Sequence, residues 1–182
     1  MEQRELLDII NIIRDKSENG KLVIFVGAGV SRNVKGMPSW EDLVREMATE
    51  VGYSKCDTCK KKTRDCESKC LLKDVYTTDE FLKIPQHLFN SDEEKYYKII
   101  KKNFSISYKG APLSQVIFDL NPIHIVTTNY DHLLEQSTNP IRNNYEVIIE
   151  DKDIYTLKKS NNYIIKLHGD IDKLNTIVLK EQ

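Results

Sequence analysis

Apolar runs of strand length occur at four places in the sequence, separated by segments of helical character. The first lies in residues 21–31, Lys21-Leu-Val-Ile-Phe-Val-Gly-Ala-Gly-Val-Ser31, and ends at two glycines and a serine. The others occupy residues 123–127, 145–149 and 163–167, and a weaker fifth run follows at 176–179. Apolar strands alternating with helices are typical of a parallel sheet. The pattern predicts an α/β fold with a Rossmann-like, doubly wound, mostly parallel sheet and a buried first strand.

Two segments carry both helical periodicity and helix-end signals. Residues 3–18 are amphipathic and close at Asn19-Gly20, a C-terminal cap signal. Ser39, followed three residues later by Asp42, is a capping pair for a second helix. We expect this helix to follow the first strand and complete a βα unit.

The length of 182 residues suits one domain, 1–182, with one excursion from the sheet. Residues 53–110 are charged and helix-favouring, and we predict a helical insertion there with helices at 81–84 and 94–101. A doubly wound dinucleotide fold normally has about six strands. Because the last apolar run ends three residues before residue 182, we expect an incomplete fold that lacks the last strands.

The charge and hydropathy of the chain argue against several classes of partner. The chain has 27 lysines and arginines against 28 aspartates and glutamates, so no overall charge favours nucleic acid or an anionic membrane. The first residues do not have the pattern of a secretory leader, and no run approaches the ~18 apolar residues of a membrane span. A cytoplasmic protein is therefore expected.

Polar residues follow the predicted strands where the strands end. Gly27 and Gly29 follow the first strand, and Thr128, Asn129 and Asp131 follow the second. Open α/β sheets bind ligands at the carboxyl ends of their strands, where glycines let backbone N–H groups approach a phosphate. Asparagine and aspartate are also common in turns for local reasons, and that alternative stays open for each of them.

A histidine follows the strand at 163–167. His168 can act as a general base near neutral pH, or it can be a structural histidine held by hydrogen bonds. His87, His124 and His132 do not follow a strand in this way, and we interpret them as structural.

Three ordered segments resemble the sirtuin-like fold family: Gly27-Ala-Gly-Val-Ser31, Thr128-Asn-Tyr-Asp131 and Leu167-His-Gly-Asp170. The resemblance is closer to the bacterial branch found in antiphage defence proteins, where the glycine loop leads into Gly-x-Pro-x-Trp, here Gly36-Met-Pro-Ser-Trp40. It covers residues 21–40, 123–134 and 163–179.

The resemblance implies a role in NAD binding or cleavage for nine residues. Asn129 would position the nicotinamide ribose and the attacking water, His168 would be the base, and Asp131 would hold the nicotinamide end. Gly27, Ala28, Gly29 and Ser31 would surround the phosphates and the nearby ribose, and Trp40 and Thr128 would complete the NAD site.

Departures from the deacylating sirtuins favour hydrolysis over deacylation. Those enzymes resemble this chain but carry Gln where it has Thr128, Arg where it has Trp40 and Glu41, and a zinc ribbon after the histidine. The resemblance therefore implies that NAD is a substrate, hydrolysed to nicotinamide and ADP-ribose by the effector domain of a bacterial antiphage defence protein.

The resemblance also implies a homo-oligomer and a C-terminal partner domain. A non-catalytic module that senses NAD or ADP-ribose stays as the alternative, with a deacylase behind it.

Four cysteines lie close together within the predicted insertion. Cys56, Cys59, Cys66 and Cys70 have the spacing C-x2-C-x6-C-x3-C, and four thiolates are a ligand set for structural Zn²⁺. Incidental free thiols and disulfides are the alternatives. The distance in sequence from the glycine, asparagine and histidine segments favours a structural role over a catalytic one.

Overall fold

The computed structural model describes residues 3–53, 76–105, 112–138, 144–155, 157–158 and 161–179. These residues contain eight α-helices, four strands and one 3₁₀ turn. In chain order they are α1 (Gln3–Glu18), β1 (Val23–Val26), α2 (Ala28–Ser31), α3 (Trp40–Glu50), α4 (Thr78–Ser91), α5 (Glu93–Phe104), α6 (Pro112–Asp119), β2 (His124–Thr127), α7 (Leu133–Ser137), β3 (Tyr145–Ile148), α8 (Asp151–Ile154), β4 (Asn162–Lys166) and the 3₁₀ turn Leu174–Thr176.

The four strands form one parallel sheet in the order β1-β2-β4-β3. Val26 at the end of β1 lies beside Thr127, which in turn lies beside Lys166 at the end of β4. The carboxyl ends of these three strands are therefore level, and the segments that follow them meet at one edge. The α/β, Rossmann-like prediction is confirmed, and the expectation of further strands stays a prediction.

Reciprocal side-chain caps begin helices α3 and α4. The Ser39 side chain accepts from the Asp42 backbone N–H at 3.1 Å, and Asp42 Oδ2 accepts from the Ser39 backbone N–H at 2.9 Å. Thr77 and Glu80 form the same reciprocal pair at the start of α4. The helices predicted at 81–84 and 94–101 lie within α4 and α5.

The core has two main parts. One fills the space between α3, α4 and α5, where Leu43, Met47 and Ile100 are buried. The other packs β1, β2 and β4 against α6 and α7 through Val26, Phe118, Ile125, Leu134 and Ile164. The helices of the predicted insertion thus share a core with α3, and this core extends to the edge of the sheet where the strands end.

The prediction of a buried first strand is wrong for half of β1. Val23 and Phe25 are 52% and 64% exposed, whereas Val26 is buried. Among the described strands β1 is bonded to β2 alone, so it lies at an edge of the sheet, and the side chains of one face are uncovered. α1 also has an exposed apolar face, with Leu7 at 56% and Ile12 at 59%.

The weak strand predicted at 176–179 is also wrong. Thr176 ends the 3₁₀ turn, and the following residues cross back over the segment after β4, with the Val178 N–H donating to the His168 carbonyl at 3.0 Å. Ile177 and Leu179 are buried in the helical core, whereas Val178 between them is only partly buried. The alternation of side chains is real, but it reflects this packing and not a ladder of hydrogen bonds.

The four cysteines, Cys56, Cys59, Cys66 and Cys70, lie outside the described residues. Within the described ranges, the helices are too short or too polar to cross a membrane.

Candidate active site at the carboxyl ends of the strands

A cavity of about 440 Å³ lies where β1, β2 and β4 end. It brings together seven of the nine residues assigned to the site from the sequence, and apolar side chains form much of the remaining wall. The predicted residues are Ala28, Ser31, Trp40, Thr128, Asn129, Asp131 and His168, and the others are Met37, Pro38, Leu82, Phe104, Tyr130, Val178 and Leu179. Gly27 and Gly29 adjoin the cavity in sequence but do not line it.

Three buried polar side chains form a network on the floor of the cavity. The Ser31 hydroxyl donates to Asp131 Oδ2 at 2.7 Å and accepts from Asn129 Nδ2 at 2.9 Å. The second Asn129 amide hydrogen points to the Gly27 carbonyl at 3.2 Å, and Asp131 Oδ1 accepts from the Leu133 N–H at 3.0 Å. The segments after β1 and β2 are therefore joined through side chains.

The direction of these bonds fixes the orientation of the asparagine amide. A carboxylate oxygen only accepts, so the single Ser31 proton points to Asp131, and the hydroxyl oxygen is left to accept from Asn129. Both amide protons of Asn129 are then used within the protein. Asn129 Oδ1 is buried and has no hydrogen-bond partner among the described residues. Such an acceptor is costly unless a ligand or water supplies a donor.

The glycines after β1 leave their backbone open to a ligand. A Cβ built on Gly27 or on Gly29 meets no atom within 4 Å. Residues 28–31 were expected to form a loop, but they form the short helix α2, with Gly27 in an extended conformation before it. The turn is tight because Val30 N–H bonds back to the Gly27 carbonyl at 3.1 Å.

His168 lies at the cavity wall, and its ring centroid is 6.5 Å from that of Tyr130. Its position depends on Gly169, which has φ +86°. A Cβ on Gly169 would lie 2.2 Å from the Thr176 carbonyl oxygen. Both the backbone conformation and the lack of space therefore require glycine between His168 and Asp170.

A buried lysine that the sequence analysis missed lies beneath this edge. The side chain of Lys166 is 1% exposed, and its ammonium group contacts Asp170 Oδ2 at 2.6 Å and Glu135 Oε1 at 2.9 Å. It also donates to the carbonyls of Asp131 at 2.7 Å and Tyr130 at 3.2 Å. The available signal was a lysine inside an apolar run, four residues before an aspartate.

Asp170 connects this lysine to His132, a residue interpreted as structural. His132 Nε2 lies 2.9 Å from Asp170 Oδ1. The hydrogen bond to Asp170 raises the pKa of His132, against the opposing effect of burial. Burial alone would raise the pKa of Asp170, but the hydrogen bonds from His132 and Lys166 outweigh it and hold that pKa well below its usual value.

His132, Glu135 and Asp170 could also serve as metal ligands, because their donor atoms lie within 4.8 Å of one another. They border a second cavity of about 460 Å³ beside β3 and β4. However, the Lys166 ammonium group already lies between Glu135 and Asp170 and supplies the positive charge that a metal would bring. The cluster is therefore an ion-pair network around the buried side chains of Lys166 and Asp170.

The fold and the first cavity are those of a Rossmann-like α/β domain with its ligand cavity at the carboxyl ends of the strands. Residues 123–182 match the SIR2-like domain family. Over 186 residues the chain is 33% identical to "Defense-associated sirtuin 2" of Bacillus subtilis, and this alignment covers 100% of the chain and 17% of that protein. These matches and the parallel sheet agree on a SIR2-like α/β domain.

Two further relatives are each named "NAD(+) hydrolase ThsA". The protein from Cytobacillus dafuensis is 26% identical over 162 residues, which cover 87% of this chain and 28% of the relative. The protein from Enterococcus faecium is 27% identical over 172 residues, which cover 94% of this chain and 32% of the relative. The chain thus spans less than a third of the length of each of these relatives.

Proposed function

We propose that this chain is the NAD-binding part of an enzyme that hydrolyses NAD to nicotinamide and ADP-ribose. The observation that carries the proposal is the unused acceptor of Asn129, buried in the same cavity that His168 borders. Two relatives are named NAD(+) hydrolases, which agrees with this chemistry. A sugar hydroxyl or a water molecule is the kind of donor that Asn129 Oδ1 lacks.

The reaction breaks the bond between the nicotinamide nitrogen and the ribose carbon, and nicotinamide leaves with the bonding electron pair. Water adds to the ribose carbon and loses one proton, so that NAD and water give nicotinamide, ADP-ribose and a proton. Positive charge develops on the sugar, and a fixed polar environment stabilises it. We assign the placing of the ribose and water to Asn129, and the acceptance of the proton to His168.

The remaining predicted residues form the rest of the proposed NAD site. The open backbone at Gly27 and Gly29 can approach the phosphates, together with Ala28. Trp40 and Thr128 are part of the cavity wall, and we propose that they contact NAD there. The side chains of Ser31 and Asp131 are bonded to each other, so we propose that they act there mainly by holding Asn129.

The test is a product balance with NAD as the only added substrate. The protein is expected to release nicotinamide and ADP-ribose in equal amounts. The variant His168→Ala is expected to lose activity by roughly 100-fold or more, as for removal of a general base. His87→Ala, at an exposed position of α4, is the matched control and keeps the wild-type rate. Equal rates for His168→Ala and wild type would show that His168 is not the base.

A module that senses NAD or ADP-ribose without cleaving it is the second candidate. The apolar cavity wall would suit either product or substrate. ADP-ribose binding without any release of nicotinamide would favour this candidate. Nicotinamide release only in the presence of an acyl-lysine peptide would instead indicate a deacylase.

We further propose that the protein acts in the cytoplasm as the effector part of an antiphage defence protein, in a homo-oligomer and with a C-terminal partner domain. A relative is named a defence-associated sirtuin and is much longer than this chain. The exposed apolar side chains of α1 and β1 offer surface for such contacts. Light scattering on the purified protein tests the oligomer, and survival of phage-infected cells that express it tests the defence role.

Zinc at the four cysteines remains a proposal that rests on their spacing alone. Metal analysis is expected to find one Zn²⁺ per chain and none in the variant Cys56→Ser/Cys59→Ser. No step of the proposed reaction depends on this metal.

A further inference from the structure

We propose that Lys166 is a positioning residue for the reaction, because its buried ammonium group holds the His168 segment in place relative to the Asn129 segment. This inference rests on the proposed hydrolysis of NAD. Lys166 does not line the cavity, so it acts only through the groups that it contacts.

The contacts of Lys166 join the segments that follow two different strands. Its ammonium group donates to the carbonyls of Tyr130 and Asp131, the two residues after Asn129. It also donates to Asp170 Oδ2, two residues after His168. Asn129 and His168 are thus each within two residues of a group that the same cation holds.

A charged donor is needed for this arrangement. The ammonium group has three protons and four oxygen neighbours within 3.2 Å, two carbonyls and two carboxylates. A carboxylate buried as deeply as that of Asp170, whose side chain is 3% exposed, is stable only with a positive or hydrogen-bonding partner. A neutral side chain of the same length fills the space but removes the ammonium partner of Asp170 and leaves it the bond to His132. We expect the segment that carries His168 to move in response.

The two segments are also joined by two side-chain bonds, from His132 to Asp170 and from the Tyr130 hydroxyl to the Val178 carbonyl, and by two bonds between backbone groups. Ile171 N–H donates to the Tyr130 carbonyl at 3.2 Å, and Leu167 N–H donates to the Thr127 carbonyl at 2.8 Å. Neither bond lies at His168 itself. The cation is the one of these links that contacts both Tyr130 and Asp131 on one side and Asp170 on the other, and bonds to charged groups are stronger than bonds between neutral ones.

The experiment compares Lys166→Met with Phe118→Ala, a buried substitution in α6 away from the cavity. Both variants are assayed well below their unfolding temperatures for kcat, for KM with NAD and for ADP-ribose affinity. A displacement of about 1 Å in a catalytic group can reduce the rate on the order of 100-fold, and this is the loss of kcat expected for Lys166→Met. KM and the ADP-ribose affinity should change by about threefold at most, because the binding surface is kept. A loss of kcat no larger than that of Phe118→Ala overturns the proposal.

A second pair of variants decides the question if Lys166→Met does not fold. Asp170→Asn weakens the link to the His168 segment, whereas Glu135→Gln weakens only the contact with α7. The proposal expects a large fall in kcat for Asp170→Asn and little change for Glu135→Gln. Equal effects on kcat overturn it.

A spectroscopic readout separates this inference from the proposed function. The rings of Tyr130 and His168 are neighbours, so a nuclear Overhauser contact between them reports the relative position of the two segments. Loss of this contact in Lys166→Met, with its retention in Phe118→Ala, supports the holding role even if the wild-type protein cleaves no NAD. Retention in both variants overturns it.

Discussion

The hydroxyl of Ser31 donates a hydrogen bond to Asp131 Oδ2 at 2.7 Å, although the two residues are 100 positions apart in the chain. This bond directs the only proton of the hydroxyl away from Asn129. The Asn129 amide must then donate to Ser31, and its oxygen remains without a partner among the described residues. The hydrogen bond between Ser31 and Asp131 thus leaves Asn129 Oδ1 as the acceptor that we propose to contact the substrate.

Ser31→Ala is expected to reduce both stability and turnover. It removes one buried hydrogen bond from the Asp131 carboxylate and one from the Asn129 amide, at a cost of about 1–3 kcal/mol in the free energy of unfolding. Release of the amide from its fixed orientation is expected to lower kcat on the order of 10- to 100-fold. Urea unfolding and nicotinamide release measure the two effects.

Ser114→Ala is the matched control for this substitution. Ser114 is also fully buried, lies in α6, and its hydroxyl has no hydrogen-bond partner among the described residues. Its removal is expected to leave stability and kcat unchanged. If Ser31→Ala behaves like Ser114→Ala, the orientation of Asn129 does not depend on Ser31.

Asp131→Asn is expected to disturb the same network without removing an atom. An amide at position 131 can donate to Ser31, which frees the Ser31 proton to point to Asn129 and favours the opposite orientation of that amide. We expect the free energy that corresponds to the loss in kcat to be larger than the loss in the free energy of unfolding. An unchanged kcat would show that the direction of the network has no part in turnover.

Gly169→Ala is expected to destabilise the protein by about 3 kcal/mol or more, because backbone strain is joined by a collision with Thr176. Gly52→Ala separates the two causes. Gly52 has φ +70°, but a Cβ there meets no atom within 4 Å, so it should cost only the strain of about 1–2 kcal/mol. Thermal unfolding of both variants checks the difference, and equal losses would mean that Thr176 can move aside freely.

The ion-pair network predicts a pH dependence of stability. The pKa of His132 is raised on folding, so its contribution is complete below its unfolded pKa of about 6.5 and is lost as the pH rises through the folded value. The pKa of Asp170 is lowered, so its contribution is present above an unfolded pKa of about 3.9 and is lost in acid. Both contributions are complete between those values.

As the pH rises from about 6 to 8.5, the free energy of unfolding is therefore expected to fall less in His132→Gln than in wild type. His87→Gln, on the exposed side of α4, should keep the wild-type slope. The measurement is urea unfolding at intervals across this range. A wild-type slope in His132→Gln would contradict the role given to its bond with Asp170.

The sequence was sufficient to predict the sheet and most of the candidate site. The strands, the cap at Ser39 and the helices are local patterns, and the rule for parallel sheets then brings Asn129 and His168 to one edge. The cavity contains both residues. Their roles in turnover remain predictions.

The predictions that were wrong or missing concern contacts between residues far apart in the sequence, which no local pattern shows. An apolar run does not show whether its strand has neighbours on both sides, so the exposure of Phe25 was missed. Alternation at 176–179 looks the same whether the partner is a strand or a helical core. Lys166 was passed over because its four partners belong to three different segments of the chain, and only folding brings them together.

We propose above all that Asn129, held by Ser31, takes part in the hydrolysis of NAD. The most direct test is the rate of nicotinamide release from NAD by Asn129→Ala relative to wild type, with ADP-ribose affinity measured on the same preparations. We expect that wild type releases nicotinamide, and that the variant binds ADP-ribose but releases nicotinamide at least about 100-fold more slowly. Equal rates of release from the two proteins would contradict it.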